Sequence, residues 1–291
     1  MDEKVSFEEF LFGDGNEIVI DDMEFCTDRI LMLPKIRPHQ LERAVRMSIQ
    51  YCQNVDFRGR ILEKINECPV LIYQLFRRGV FSFVEIKPLL INRNTILLCY
   101  YFRNQINDFG SFIHGKSKLN DIDECFLNNE NNIDQLIEYG FIPSSVEYCL
   151  KYDDIDPLVV FDILNKEAKW SPFEWSFKPK SLYLLSFSGF FGSIKCFKYL
   201  LMKGFDINID VISMIICSGC LGLFHLCQSQ QFLTNESICK ASEYFHIPLL
   251  VFMLENGYEI NAKDLLDEFL NLKEHLFIML QIMVILVLLN I

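Results

Sequence analysis

One short pattern recurs four times along the chain. Leu75-Phe76-Arg77-Arg78-Gly79-Val80, Leu136-Ile137-Glu138-Tyr139-Gly140-Phe141, Leu200-Leu201-Met202-Lys203-Gly204-Phe205 and Met253-Leu254-Glu255-Asn256-Gly257-Tyr258 share it. Each has two apolar residues, two mostly polar ones, a glycine and an apolar residue. This is how a helix ends: the apolar pair is its buried last turn, the glycine takes the left-handed conformation, and the next apolar side chain folds back as a cap contact. The glycines lie 61, 64 and 53 residues apart. Each gap is close to twice a unit of about 30 residues, the spacing of stacked helix pairs. A weaker unit falls inside one gap, where Ser188-Gly189-Phe190-Phe191-Gly192 matches Ser218-Gly219-Cys220-Leu221-Gly222 at an offset of 30.

Composition agrees with a helical core. The 291 residues are 51% hydrophobic and 23% charged, which excludes disorder and a small disulfide scaffold. With 13 glycines and 9 prolines there are too few breakers for the many tight turns of a β-sandwich. The expected fold is all-α, a stack of helix pairs behind a helical N-terminal region. Leu41, Val45, Ile49 and Cys52 recur at helical spacing, and Pro69 suits a first helical turn whose stripe Leu71, Leu75 and Phe76 stops at Gly79. Ser82 and Glu85 form a capping-box pattern for a short helix that Pro88 ends or kinks. Ser144 to Tyr152 and Pro157 to Asn165 read as a helix pair split by the acidic turn Asp153, Asp154 and Asp156.

Residues 183 to 208, with Gly192, Leu200, Leu201, Gly204, Asp206 and Asn208, resemble an ankyrin repeat, and residues 236 to 261, with Ala241, Leu254, Gly257 and Asn261, resemble a second. Tyr183-Leu184-Leu185-Ser186 and Glu236-Ser237-Ile238-Cys239 replace that family's threonine-proline-leucine-histidine start. The chain further resembles the divergent ankyrin-like proteins of parasitic protists that carry a domain of unknown function, most closely at Leu98 to Asn104 and Glu147 to Asp154, over roughly residues 60 to 265. The resemblance implies an ankyrin-like solenoid that binds protein, and it brings no catalytic residue.

Charge and chemistry narrow the function. Net charge is −12, and residues 1 to 30 hold ten acids against Lys4 and Arg29, a segment that repels phosphate. Residues 29 to 64 are basic, but interleaved acids make them a solvated face rather than a nucleic-acid surface. Eleven cysteines without paired spacing, behind a start with no signal-peptide pattern, point to a reducing cytoplasmic setting. Gly110-Ser111-Phe112-Ile113-His114-Gly115-Lys116-Ser117 satisfies the phosphate-loop pattern. Its flanks, however, suit a surface loop better than a strand feeding a helix. Cys217 and Cys220, near His225 and Cys227, read as core cysteines rather than a zinc site. Asp21-Asp22 and Asp153-Asp154 read as solvated tail or turn residues, and no histidine stands in a catalytic motif.

The expected organisation is an acidic tail and helical region over 1–125, ankyrin-like repeats over 126–275 and an apolar C-terminal helix over 276–291, with a linker at Asn128 to Asn132. The expected function is a non-catalytic protein–protein interaction scaffold that needs no cofactor or metal and takes a protein rather than a nucleic acid as partner. Phe190, Lys203, Phe205, Asp206 and Tyr258 are the residues expected to line its surface. The alternatives are nucleotide binding at Gly110 to Ser117 and membrane anchoring through 276–291, a run short of the ~20 residues a span requires.

Overall fold

The computed structural model describes residues 27, 30–31, 41–64, 68–92, 96–114, 130–163, 167–171, 173–174, 183–227, 241, 246, 249 and 252–253. Among these residues the protein is all-α, and the sole extended pairing is an isolated antiparallel bridge between Glu167 and Tyr183. The helices are α1 (Leu41–Tyr51), α2 (Val55–Glu63), α3 (Pro69–Arg77), α4 (Phe83–Asn92), α5 (Ile96–Tyr101), α6 (Phe109–His114), α7 (Glu130–Tyr139), α8 (Val146–Tyr152), α9 (Ile155–Leu158), α10 (Leu184–Phe191), α11 (Ile194–Met202), α12 (Ile209–Ser218) and α13 (Leu221–Cys227). They fall into two compact units, Met1–Ser145 with Trp170–Lys178 and Val146–Lys169 with Pro179–Ile291.

The first unit runs to Ser145 and takes in Trp170–Lys178. It includes α7, where Glu138 pairs with Arg77 at 2.5 Å and Asp134 with Arg103 at 2.8 Å. Asn131 and Asn132, expected in a linker, are already part of that helix. Within the unit α1 packs on α3 and α3 on α5. The apolar face of α1 is rotated from the expected stripe: Ala44, Val45, Ser48 and Tyr51 are buried while Ile49 is exposed. Phe102 is the aromatic hub, with Tyr73, Phe76 and Phe83 ring centroids 5.2 to 6.3 Å away. The Tyr101 hydroxyl donates to the Phe173 carbonyl at 3.2 Å, and Trp170 packs edge-on to Phe141. Offset and edge-on rings of this kind add to plain burial.

Local sequence rules account for most ends. Pro69 occupies the first turn of α3, and Asn54 caps α2 by accepting from Asp56 N and Phe57 N. At α4 the glutamate half of the capping box forms: Glu85 accepts from the backbone N–H of Ser82 at 2.8 Å and from its hydroxyl at 2.7 Å. Arg58 also donates to Glu85 at 2.7 Å while lying 4.7 Å above the Phe81 ring. Pro88 does not end α4, which continues to Asn92. A helix ring lacking one N–H survives when both flanking turns are packed, and Ile86 and Leu90 are buried on either side. In the second unit α9 covers Ile155–Leu158, and the helix expected from Pro157 does not continue through residues 159–163; residues 164 and 165 lie outside the described residues.

The glycine pattern is confirmed where it can be read. Gly79, Gly140 and Gly204 have φ of 73°, 80° and 88°, as do Gly192 (71°) and Gly219 (67°) at further helix ends. Gly257 lies outside the described residues. At Gly204 the motif is complete, with Gly204 N–H donating to Leu201 O at 3.0 Å and Phe205 N–H to Leu200 O at 3.2 Å. The internal match at an offset of 30 does not hold, however. Gly189 lies inside α10 while Gly219 ends α12, so Gly192 rather than Gly189 is its counterpart.

In the second unit α8, α10 and α12 pack successively, and so do α9, α11 and α13. Leu184 to Phe190 are all buried, as a helix with neighbours on both sides must be. Gly189 makes the α10–α12 contact close: a Cβ there would meet Ile215 Cγ1 at 3.1 Å.

Two measurements check these assignments. Gly204 faces open space, so Gly204→Ala carries only the left-handed backbone penalty, roughly 1–2 kcal/mol by denaturant unfolding. Gly219→Ala adds a clash, because its Cβ would run into the ring of buried His246 at Nδ1, and should cost clearly more. The Ser82 bonds, backbone first, and Arg58 hold the Glu85 carboxyl down at about 2. A depressed carboxyl stabilises the fold above its unfolded value of 4.5, and that contribution fades as pH falls toward about 2. Glu85→Gln should therefore destabilise at pH 7, and the gap from wild type should close in this acid window. A gap independent of pH would contradict the assignment.

Candidate functional site

The turn between α11 and α12 carries three of the five residues expected to form a surface. Its backbone is fixed at both ends: the Gly204 motif closes α11, and Asn208 Oδ1 accepts from Val211 N at 3.0 Å to open α12. Lys203 and Asp206 are exposed and Phe205 is half-buried. The Lys203 ammonium sits 5.3 Å from the Tyr199 ring centroid, within cation–π range, so its position is not free. Phe190 is 2% exposed. It packs edge-on to Phe191 in the last turn of α10, and its burial removes it from the exposed surface. Tyr258 lies outside the described residues, as do most of residues 236–261 and all of 276–291.

The structure adds two residues at this turn that the sequence reading missed. Met202 is 76% and Ile209 48% exposed, flanking the turn on either side. The signal for Met202 was present. In the recurring pattern its position is Arg77, Glu138 and Glu255 elsewhere, and Arg77 and Glu138 are exposed. Met202 is thus an apolar side chain where the same turn elsewhere offers water a charge. A single exposed apolar residue is ordinary. Met202 and Ile209 around a charged pair make a small mixed patch on a rigid turn.

The second unit is tied together beneath this surface by side chains that reach the carbonyl ends of neighbouring helices. The Ser193 hydroxyl donates to the Leu150 carbonyl. Cys220 Sγ lies 3.9 Å from Gly192 O, and His246 Nε2 lies 2.6 Å from Cys217 O. A carbonyl can only accept, so Nε2 carries the proton in that contact. Asp153 joins the set from the opposite sense, its Oδ1 accepting from Cys196 N at 2.9 Å at the start of α11. It takes a left-handed φ of 55° and is half-buried, so it is a bonded link rather than a purely solvated turn residue.

These contacts define what the cysteines do. Burial pushes the Cys52 and Cys227 thiols up to about 11 and the Cys196 thiol to about 12, with Asp153 adding to the last. A thiol held that high supplies almost no thiolate at neutral pH, and thiolate is the nucleophile and the metal ligand. Among the described residues no three His, Cys, Asp or Glu side chains gather to hold a metal ion. His225 is instead packed edge-on to Phe252 at 4.8 Å.

The phosphate-loop pattern has a different backbone from the one its chemistry needs. The apolar run before it is helix α5, and Gly110 to His114 belong to helix α6 rather than to a loop. Asp108, at a φ of 50°, accepts from Ser111 N–H at 3.3 Å, and these bonds from Ser111 lower its carboxyl below the usual range. Gly115 to Ser117 lie outside the described residues. Millimolar magnesium–ATP should leave the melting temperature unchanged; an upward shift abolished by Lys116→Ala would overturn this reading.

Among the described residues no helix is long and apolar enough to cross a membrane. No family model, no curated protein and no solved structure matches the chain, so its function is argued from its own geometry.

Proposed function

We propose that the protein is a non-catalytic interaction scaffold, an ankyrin-like helix-pair solenoid that recruits a protein partner through the turn between α11 and α12. The observation that carries the reading is the exposed Met202 beside Lys203, Asp206 and Ile209 on a backbone fixed at both ends. A rigid platform lowers the ordering cost of binding, and an apolar centre with a charged rim is the usual anatomy of a recognition patch.

The solenoid reading is supported by the two rows of successive contacts, α8–α10–α12 and α9–α11–α13. Units that bury their apolar faces only against one another can vary their turns without disturbing the core. Asn208 gives the resemblance to ankyrin repeats a physical basis, because the residue that closes the repeat pattern caps the next helix. A cytoplasmic setting follows from the same reading, since buried cysteines in neighbouring helices keep their thiols best in a reducing compartment.

Pull-down from cell extract should recover a discrete protein partner. Met202→Glu combined with Lys203→Glu should reduce that recovery at least ~10-fold, as expected when a hot spot worth about 1.4 kcal/mol or more is lost. Both side chains are exposed, so the melting temperature should hold. Unchanged recovery by a folded double variant would exclude this turn as the binding surface.

A further inference from the structure

Two apolar side chains face water just after α9, on a backbone that is held in place. Val159 N–H donates to Ile155 O at 3.2 Å, Val160 N–H to Pro157 O at 3.3 Å and Phe161 N–H to Leu158 O at 3.2 Å, so residues 155–161 form one continuous turned segment. Leu158 and Ile163 are buried on either side of the exposed stretch, and α9 packs on α8 and on α11. Between these anchors Val159 is 54% and Val160 81% exposed. The fixed backbone, not a frayed end, presents them to water.

The charge around the two valines has one sign. Residues 152–165 hold Asp153, Asp154, Asp156 and Asp162 and no lysine or arginine. Asp153 is engaged by the N–H of Cys196. Asp154, Asp156 and Asp162 are exposed, and among the described residues none of the three is in an ion pair. Lys151, just before this stretch, lies over the Tyr152 ring at 5.3 Å from its centroid. Asp156 precedes Val159 and Val160 by three and four residues, the spacing that sets side chains on one side of a helical turn. An apolar centre with an unneutralised acidic rim is complementary to apolar side chains flanked by cations. A nucleic acid or an anionic membrane would meet like charge there.

We infer that Val159 and Val160, with Asp154, Asp156 and Asp162, form a docking surface for a peptide segment of another protein in which lysine or arginine flanks large aliphatic side chains. Covering the valines supplies the attraction, and the carboxylates fix the sign and position of the flanking charges. Exposed ion pairs alone are weak, so the cations select the partner and the apolar contact holds it. The surface is separate from the turn between α11 and α12, and it stands whether or not that turn binds protein.

The test is fluorescence anisotropy of a labelled synthetic peptide, built from repeats of lysine-leucine-leucine-lysine, titrated with the full chain in about 150 mM salt, where charges more than about 8 Å apart are screened. Two further peptides replace every leucine by serine or every lysine by glutamate, and each should bind at least ~10-fold more weakly. Val159→Ser with Val160→Ser should weaken the parent peptide at least ~10-fold, and so should Asp154→Asn, Asp156→Asn and Asp162→Asn together. All five side chains are exposed, so the melting temperature should hold. Val160→Lys alone, at the more exposed valine, is the second variant and should show the same loss. Met202→Glu with Lys203→Glu should bind the peptide as wild type does. Equal affinity of wild type and either valine variant overturns the proposal, as does the absence of saturable binding up to about 1 mM. Equal affinity for the serine peptide also overturns it, because only attraction to the net charge of −12 would remain. Loss in the Met202 variant with none in the valine variants would place the peptide at the other turn and overturn this surface.

Discussion

Everything in the second unit depends on how α10 is held. Its residues from Leu184 to Phe190 are buried around the whole circumference, which is attainable only with α8 on one side and α12 on the other. Each large apolar side chain so buried contributes about 1.5–3 kcal/mol, and α10 carries Leu184, Leu185, Phe187 and Phe190 in a single stretch. The close approach to α12 rests on the missing side chain at Gly189. Without neighbours this helix would expose apolar surface on every face, so neither it nor its partners are stable alone.

Stacking helices closely leaves their carbonyl ends away from water, and an unmet polar group there is expensive. The protein meets this requirement with residues just beyond each helix end. Ser193, Cys220 and His246 each direct a side chain to a carbonyl of the preceding helix pair. Asp153 instead receives an N–H from the following pair. The chemistry differs from contact to contact, from hydroxyl to thiol to imidazole. It also gives His246 and Gly219 a joint role: the imidazole reaches Cys217 O across the space that any side chain at residue 219 would fill.

The first unit solves the same problem of joining short helices with different means. Arg58, Arg77, Arg78 and Arg103 each link one helix or turn to another through an acid, and Phe102 gathers aromatic rings at the centre. A planar guanidinium bonds a carboxylate and lies over a ring at once, as Arg58 does with Glu85 and Phe81.

Much of the local structure was legible in the sequence because short-range rules decide it. The left-handed glycines, Pro69 at a helix start, the Ser82–Glu85 box and the Asn208 cap need only neighbours within a few residues. Of the surface residues, Lys203 and Asp206 were recognisable because a turn between two capped helices must expose its polar positions. What the sequence left open concerns partners far along the chain. Phe190 looks the same written in a line whether α12 covers it or not, and Ile49 fits a helical stripe until α1 is rotated against α3. The burial of Phe190, the bonded state of Asp153 and the pairing of Arg77 with Glu138 and of Arg78 with Glu42 were decided by tertiary packing. Those positions are set by contacts between residues tens of positions apart, and periodicity carries no record of which of them meet.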